Sequence, residues 1–131
     1  MKKVRLVRQT EQDTCGAACL AMLAGSTEQK MLEFLTENGH FDNGTTKTDI
    51  RWALNKLGIF ASRWWSKDGL WRTEKKALIH FAYSYYTVRL HWIIWYNKKY
   101  YDPSWGVLDE LFHFSTGHNW QKVVEYLPIY D

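Results

Sequence analysis

Cysteine is scarce in this sequence, with only two residues, Cys15 and Cys19, in 131. They stand four positions apart in one helix-like run, too far to bridge, because a disulfide needs Cβ atoms about 4 Å apart. A disulfide framework is therefore excluded, and free thiols in a reducing, cytoplasmic setting are expected. Long hydrophobic runs are also missing. The longest, "HWIIWY" at 91–96, falls far short of the roughly 20 apolar residues a spanning helix needs, so no integral membrane segment is expected. Charge of one sign is scarce too: the net charge of +3 is too mild for a dedicated nucleic-acid binder. The basic start "MKKVRLVR" leads into no apolar core, so no export signal is expected. Repeats, low-complexity tracts and linker-like stretches are absent, and a single domain over residues 1–131 follows.

Aromatic residues are abundant, with eight Trp, eight Tyr and six Phe. Most belong to a sheet-rich core, since aromatics favour strands and bury large areas. Those in "RWWSKDGLW" and "PSWG" would also suit a peptide groove.

The first 58 residues read as helices. One starts at Asp13 or Thr14 and stops at Gly25, with Cys15, Ala18, Cys19 and Met22 on one stripe. A second has Ser26 and Gln29 as a capping box and Gly39 as its stop. A third has Thr48 as cap, a face of Ile50, Ala53, Leu54 and Leu57, and Gly58 as its end. The pattern then turns to strands: "IFASRWW", a "KDG" turn, "KALIHFAY", "VRLHWIIWY", and a hairpin through "NKKYYDPSWG" broken at Pro103. "LDELFHF" fits either type, and the tail "WQKVVEYLPIYD" is β-rich. Helices first and strands after define an α+β domain.

The chemistry is carried by Cys15. A thiol becomes a nucleophile when a helix N-terminus and a nearby imidazolium stabilise its thiolate. Cys15 stands where a helix should begin, exposed, and Gly16 beside it keeps the approach open. Cys19, one turn further in, is expected in the core. Of five histidines, His91 opens the most strand-like run, and Asp102 follows eleven residues later. If Asn97 and Lys98 form a two-residue turn, Tyr96 faces Lys99 and His91 faces Ser104. Asp102 then shares a sheet face with His91, roughly 7–8 Å away on the diagonal. A three-residue loop would put the two on opposite faces. His80 competes for the role of base, but no acidic residue follows it at hairpin distance, so it reads as a core or edge histidine. His40 and His118 fall in Gly/Asn-containing loops and are expected to be solvated, while His113 is uninformative. Gln9 and Gln12 are candidate side-chain donors to an oxyanion, beside the Cys15 N–H. Metal binding by Cys15, Cys19 and a histidine lacks a second ligand cluster, so no metal and no cofactor are expected.

These residues carry a resemblance. "QTEQDTCGAACLAML" at 9–23 resembles the active-site segment of the bacteriocin-processing peptidases, papain-like domains that cut double-glycine leader peptides. They are usually fused to peptide-exporting ABC transporters, with stand-alone relatives. "TTKTDIRWALNKLGI", "ALIHF" and "HWIIWYNKKYYDPSWG" are similar to later segments of that family, in the family's order. Thr14 between Asp13 and Cys15 is closer to the stand-alone form, and the gap from His91 to Asp102 is short for the family. The resemblance implies a papain-like α+β fold, N-terminal helices packed on a C-terminal antiparallel sheet. It also implies Cys15 as nucleophile, His91 as base, Asp102 as orienter and Gln9 as oxyanion donor. Gly16, Trp92 and Trp105 are the candidate substrate contacts. The expected partners are a peptide or protein substrate and a separate transporter. Two alternatives stand beside a peptidase: a silent peptide-binding module on the same fold, and a thiol deamidase or amidase.

Overall fold

A computed structural model describes residues 3–66, 70–85, 87–110 and 120–130. Three helices come first, α1 (Cys15–Ala24), α2 (Glu28–Glu37) and α3 (Lys47–Lys56). A sheet follows, built from β1 (Trp65–Ser66), β2 (Lys76–Tyr85), β3 (Thr87–Tyr96), β4 (Lys99–Asp102), β5 (Gly106–Leu108) and β6 (Trp120–Pro128). Its order is β1-β6-β2-β3-β4-β5, and every pairing is antiparallel. The α+β architecture expected from the sequence is the one observed.

α1 is the central helix. It begins after Thr14 and ends at Gly25, whose φ of 67° takes the left-handed conformation that closes helices. The stripe read from the sequence understates it: every residue from Cys15 to Leu23 is buried. Small and apolar residues on all sides let α2, α3 and β3 pack around it.

The other two caps differ from expectation. Thr27 caps α2, accepting from Lys30 N–H at 3.2 Å. Thr46 caps α3 in a reciprocal box with Asp49, which fixes that helix two residues before Thr48. "IFASRWW" pairs only through a bridge at Ala61 and at Trp65, so it is mostly a connection. The "KDG" turn and most of "LDELFHF", with His113 and His118, lie outside the described residues.

The sheet separates two clusters. Leu78, Trp92, Ile94 and Leu127 pack against the helices. Ala77, Ile79, Ile93, Trp95, Tyr100, Val123 and Tyr126 form the other cluster, with Trp71 from a 3₁₀ turn at Leu70–Thr73. The Trp71 indole N–H donates to Tyr100 Oη at 3.0 Å, so this aromatic wealth is core packing with its polar tips satisfied.

β3 and β4 join through the two-residue turn. Asn97 and Lys98 have φ of 51° and 63°, the type I′ signature that fits the twist of a hairpin. Tyr96 pairs with Lys99, Trp95 with Tyr100 and Ile94 with Tyr101. Counting on, Asp102 stands opposite Ile93, which places it diagonally from His91 on one face.

Candidate active site

Three elements meet at the site: the first residue of α1, the middle of β3 and the end of β4. His91 and Asp102 are both buried, and His91 Nε2 lies 2.8 Å from Asp102 Oδ1. The same carboxylate oxygen accepts N–H groups of Ser104 at 2.8 Å and Trp105 at 3.3 Å. The turn after Pro103 thus fixes the carboxylate before the imidazole arrives. Cys15 acts on the same ring, its side chain and its charge being among the causes that raise the His91 pKa.

Burial alone would lower the His91 pKa. The hydrogen bonds to Asp102 and Cys15 and the charges on both outweigh it and raise the value to about 9. The protonated ring is the form these neighbours favour. The second thiol sits in a different field. Burial pushes the Cys19 thiol well up, and the Cys15 and Asp102 charges add to that, so Cys19 is an inert core residue.

Cys15 is not exposed, as the sequence suggested, but only 6% accessible. It is reached through an open cleft of about 760 Å³, lined also by Glu11, Gln12, Thr45, Leu90 and Trp92. The start of α1 is unusual there. Thr14 makes no side-chain cap bond, and the N–H groups of Cys15, Gly16 and Ala17 find no acceptor among the described residues. Uncapped first-turn N–H groups are a ready anion site.

Gly16 is closely packed. A Cβ there would lie 2.0 Å from Thr45 Oγ1 and 3.3 Å from Trp92 Cδ1, so the missing side chain lets this wall close on α1. Trp92 belongs to the cleft wall, its indole N–H donating to Thr45 O at 3.3 Å. Trp105 is 57% exposed and touches the site through its backbone N–H to Asp102; it is not among the cleft-lining residues.

Gln9 is held against the Asp102 turn, its N–H donating to Pro103 O at 3.1 Å. Its side-chain amide donates to Glu11 O at 2.8 Å and Gln12 O at 3.3 Å, while its buried Oε1 has no partner. Gln12 itself lines the cleft.

The sequence missed the partners of two other histidines. His80 is buried, stacks on Trp92 with centroids 3.9 Å apart, and pairs with Glu125 at 3.1 Å. That acid comes from β6, whose register puts Glu125 opposite His80. Burial lowers the His80 pKa against the opposing pull of Glu125, and the charges of Lys47 and His91 add to the lowering. His80 is thus the neutral member of the pair of strand histidines. His40 is not solvated: it bonds Asp49 at 2.8 Å and stacks on Trp52 at 4.1 Å.

A thiol at a helix start, an imidazole across from it and a carboxylate behind the ring, on this helix-then-sheet frame, define the papain-like cysteine peptidase class. The Peptidase C39 family model matches residues 3–104, and the chain belongs to that family. A search of curated protein sequences finds no match. Among solved structures, one match is a double glycine motif protease from an AMS/PCAT transporter, in complex with the leader peptide. The TM-score is 0.64 at 19% identity, over 97% of this chain and 91% of the other. A second is the peptidase domain of Streptococcus ComA, a bi-functional ABC transporter involved in quorum sensing. There the TM-score is 0.66 at 19% identity, over 96% and 97% of the two chains. These likenesses are ones of fold. No helix among the described residues is long and apolar enough to cross a membrane, and no described cluster of three or more His, Cys, Asp or Glu could hold a metal.

Proposed function

We propose that the chain is a cysteine peptidase that cuts a peptide bond through Cys15, His91 and Asp102. The observation that carries this is the buried His91 ring, 2.8 Å from Asp102 and with its pKa raised by both Asp102 and Cys15, the latter lining an open cleft. The imidazolium holds Cys15 as a thiolate, which attacks the scissile carbonyl carbon. The developing oxyanion is met by the Cys15 N–H and by the Gln9 amide. Gln9 gives up its longer bond, the 3.3 Å one to Gln12 O, to do so. His91 then gives its proton to the leaving amine, and water deprotonated by the neutral ring hydrolyses the thioester. Asp102 keeps the ring oriented throughout.

The substrate proposed is a peptide with a double-glycine leader, as in the first of the matched structures, delivered to or from a separate transporter. The test is cleavage of a panel of double-glycine precursor peptides by wild type, Cys15→Ala and His91→Ala. Cleavage by wild type alone supports the reading. Tight binding without cleavage by any of the three would replace it with a silent peptide-binding module, and release of ammonia without chain cleavage with a deamidase.

A further inference from the structure

A buried carboxylate lies outside the triad with its bonds directed at the loop that feeds it. Glu28 is 8% accessible and opens α2. Its own helix does not need it as a cap, since Thr27 already accepts from Lys30 N–H. The position does suit a carboxylate, because the positive end of the α2 dipole lies there. Its oxygens are spent elsewhere. Oε2 accepts the Thr10 N–H at 2.7 Å and faces the Thr14 hydroxyl at 2.9 Å, while Oε1 accepts the Thr10 hydroxyl at 2.6 Å.

Thr10 and Thr14 are the two ends of one short turn. Between them lie the carbonyls of Glu11 and Gln12, which hold the Gln9 amide. Thr14 directly precedes Cys15, and its carbonyl accepts the Ala18 N–H at 3.0 Å, the first bond of α1. Its hydroxyl would ordinarily turn inward to cap the helix. Here it is drawn to Glu28 and to Glu11 O, 3.0 Å away, which leaves the first-turn N–H groups without a side-chain cap.

We propose that Glu28 is the positioning residue for the oxyanion donors: by clamping Thr10 and Thr14 it aims both the Gln9 amide and the uncapped start of α1. This rests on the peptidase reading. Glu28 touches neither substrate nor thiol, so its effect falls on the step that develops charge on the carbonyl oxygen. Binding and thiolate formation are left to other groups.

The experiment compares wild type, Glu28→Ala, Glu28→Gln and Thr10→Val with the best-cleaved precursor peptide. It measures kcat and KM, the rate of Cys15 alkylation by iodoacetamide, and Tm. Alkylation forms no oxyanion and serves as the internal control. In Glu28→Ala, kcat is expected to fall about 10- to 100-fold, within the range seen when an oxyanion donor is lost. KM and the alkylation rate should stay within about twofold, the scatter to allow where the altered step is not probed. Glu28→Gln should recover most of kcat, since its carbonyl can accept from Thr10 N–H and its amide can donate to the Thr10 hydroxyl. Thr10→Val, which removes one bond, should lose roughly 3- to 10-fold in kcat; it stands in if Glu28→Ala does not fold. Unchanged kcat in Glu28→Ala overturns the proposal, as does no recovery in Glu28→Gln. So does a parallel fall of kcat, alkylation rate and Tm, which marks a purely structural role. Cleavage by Cys15→Ala equal to wild type sinks the peptidase reading itself, a result the Glu28 variants cannot mimic.

Discussion

At the scale of single residues, the chemistry depends on how two similar pairs are made unlike. Cys15 and Cys19 sit one helical turn apart, yet one reaches the cleft beside an imidazolium and the other is sealed behind it. His91 and His80 both sit in strands against carboxylates, yet the first is driven towards its charged form and the second away from it. With His91 protonated up to about pH 9, peptidase turnover should decline as pH rises through that value, because the ring no longer carries the proton the leaving amine needs. A pH–rate profile of kcat checks this, and a flat profile to pH 10 would count against it. Asp102→Asn keeps the shape but removes the charge. It should lower kcat by about 10²- to 10⁴-fold, the upper end being what a mis-set imidazole tautomer costs in a hydrolase triad.

At the scale of elements, the β3–β4 hairpin acts as the ruler of the site. Its two-residue turn was legible in "WYNKKYYD" because Asn tolerates positive φ and the flanking residues favour strands, so the His91–Asp102 diagonal could be read before any coordinates. Inserting one glycine between Asn97 and Lys98 shifts the register by one, and side chains alternate faces along a strand. Activity should then fall to the level of Asp102→Ala while the far-ultraviolet circular dichroism stays near wild type; retained activity would show that the turn does not set the pair. Lys98 carries strain at φ 63°, so Lys98→Gly should stabilise the fold by about 0.5–1 kcal/mol, checked by urea unfolding. Glu28 and Glu125 were not legible. A glutamate at a helix start or in an alternating strand looks like ordinary surface, and only tertiary approach reveals that they bond residues 14 to 78 positions away. At Gly16 a glycine beside a nucleophile suggests access, and the close approach of Thr45 and Trp92 that it also admits was not legible.

At the scale of the whole molecule, helices and sheet bring the front, middle and later parts of the chain to one place. Arg8 and Gln9 lie against Ser104 and Pro103, joining the segment before the nucleophile to the turn that holds the orienting carboxylate. The fold class was readable from the order of periodicities. The way residues 8–14 lean on α2 and on the turn after β4 was not, because that segment has no regular structure and its bonds are all long-range or local to the turn. The His91 shift also reaches global stability. Its folded pKa of about 9 lies above the ordinary 6.5, so its contribution is complete below about pH 6.5 and is lost as pH rises through about 9. Tm should therefore drop between those values in wild type and much less in His91→Ala. The central claim is that His91 makes Cys15, and not Cys19, a thiolate. The most direct test is iodoacetamide labelling of each thiol between pH 5 and 9, read by mass spectrometry. Fast labelling of Cys15 alone near pH 6, slowed at least tenfold in His91→Ala, is the expected result; equally slow labelling of both thiols in wild type would contradict it.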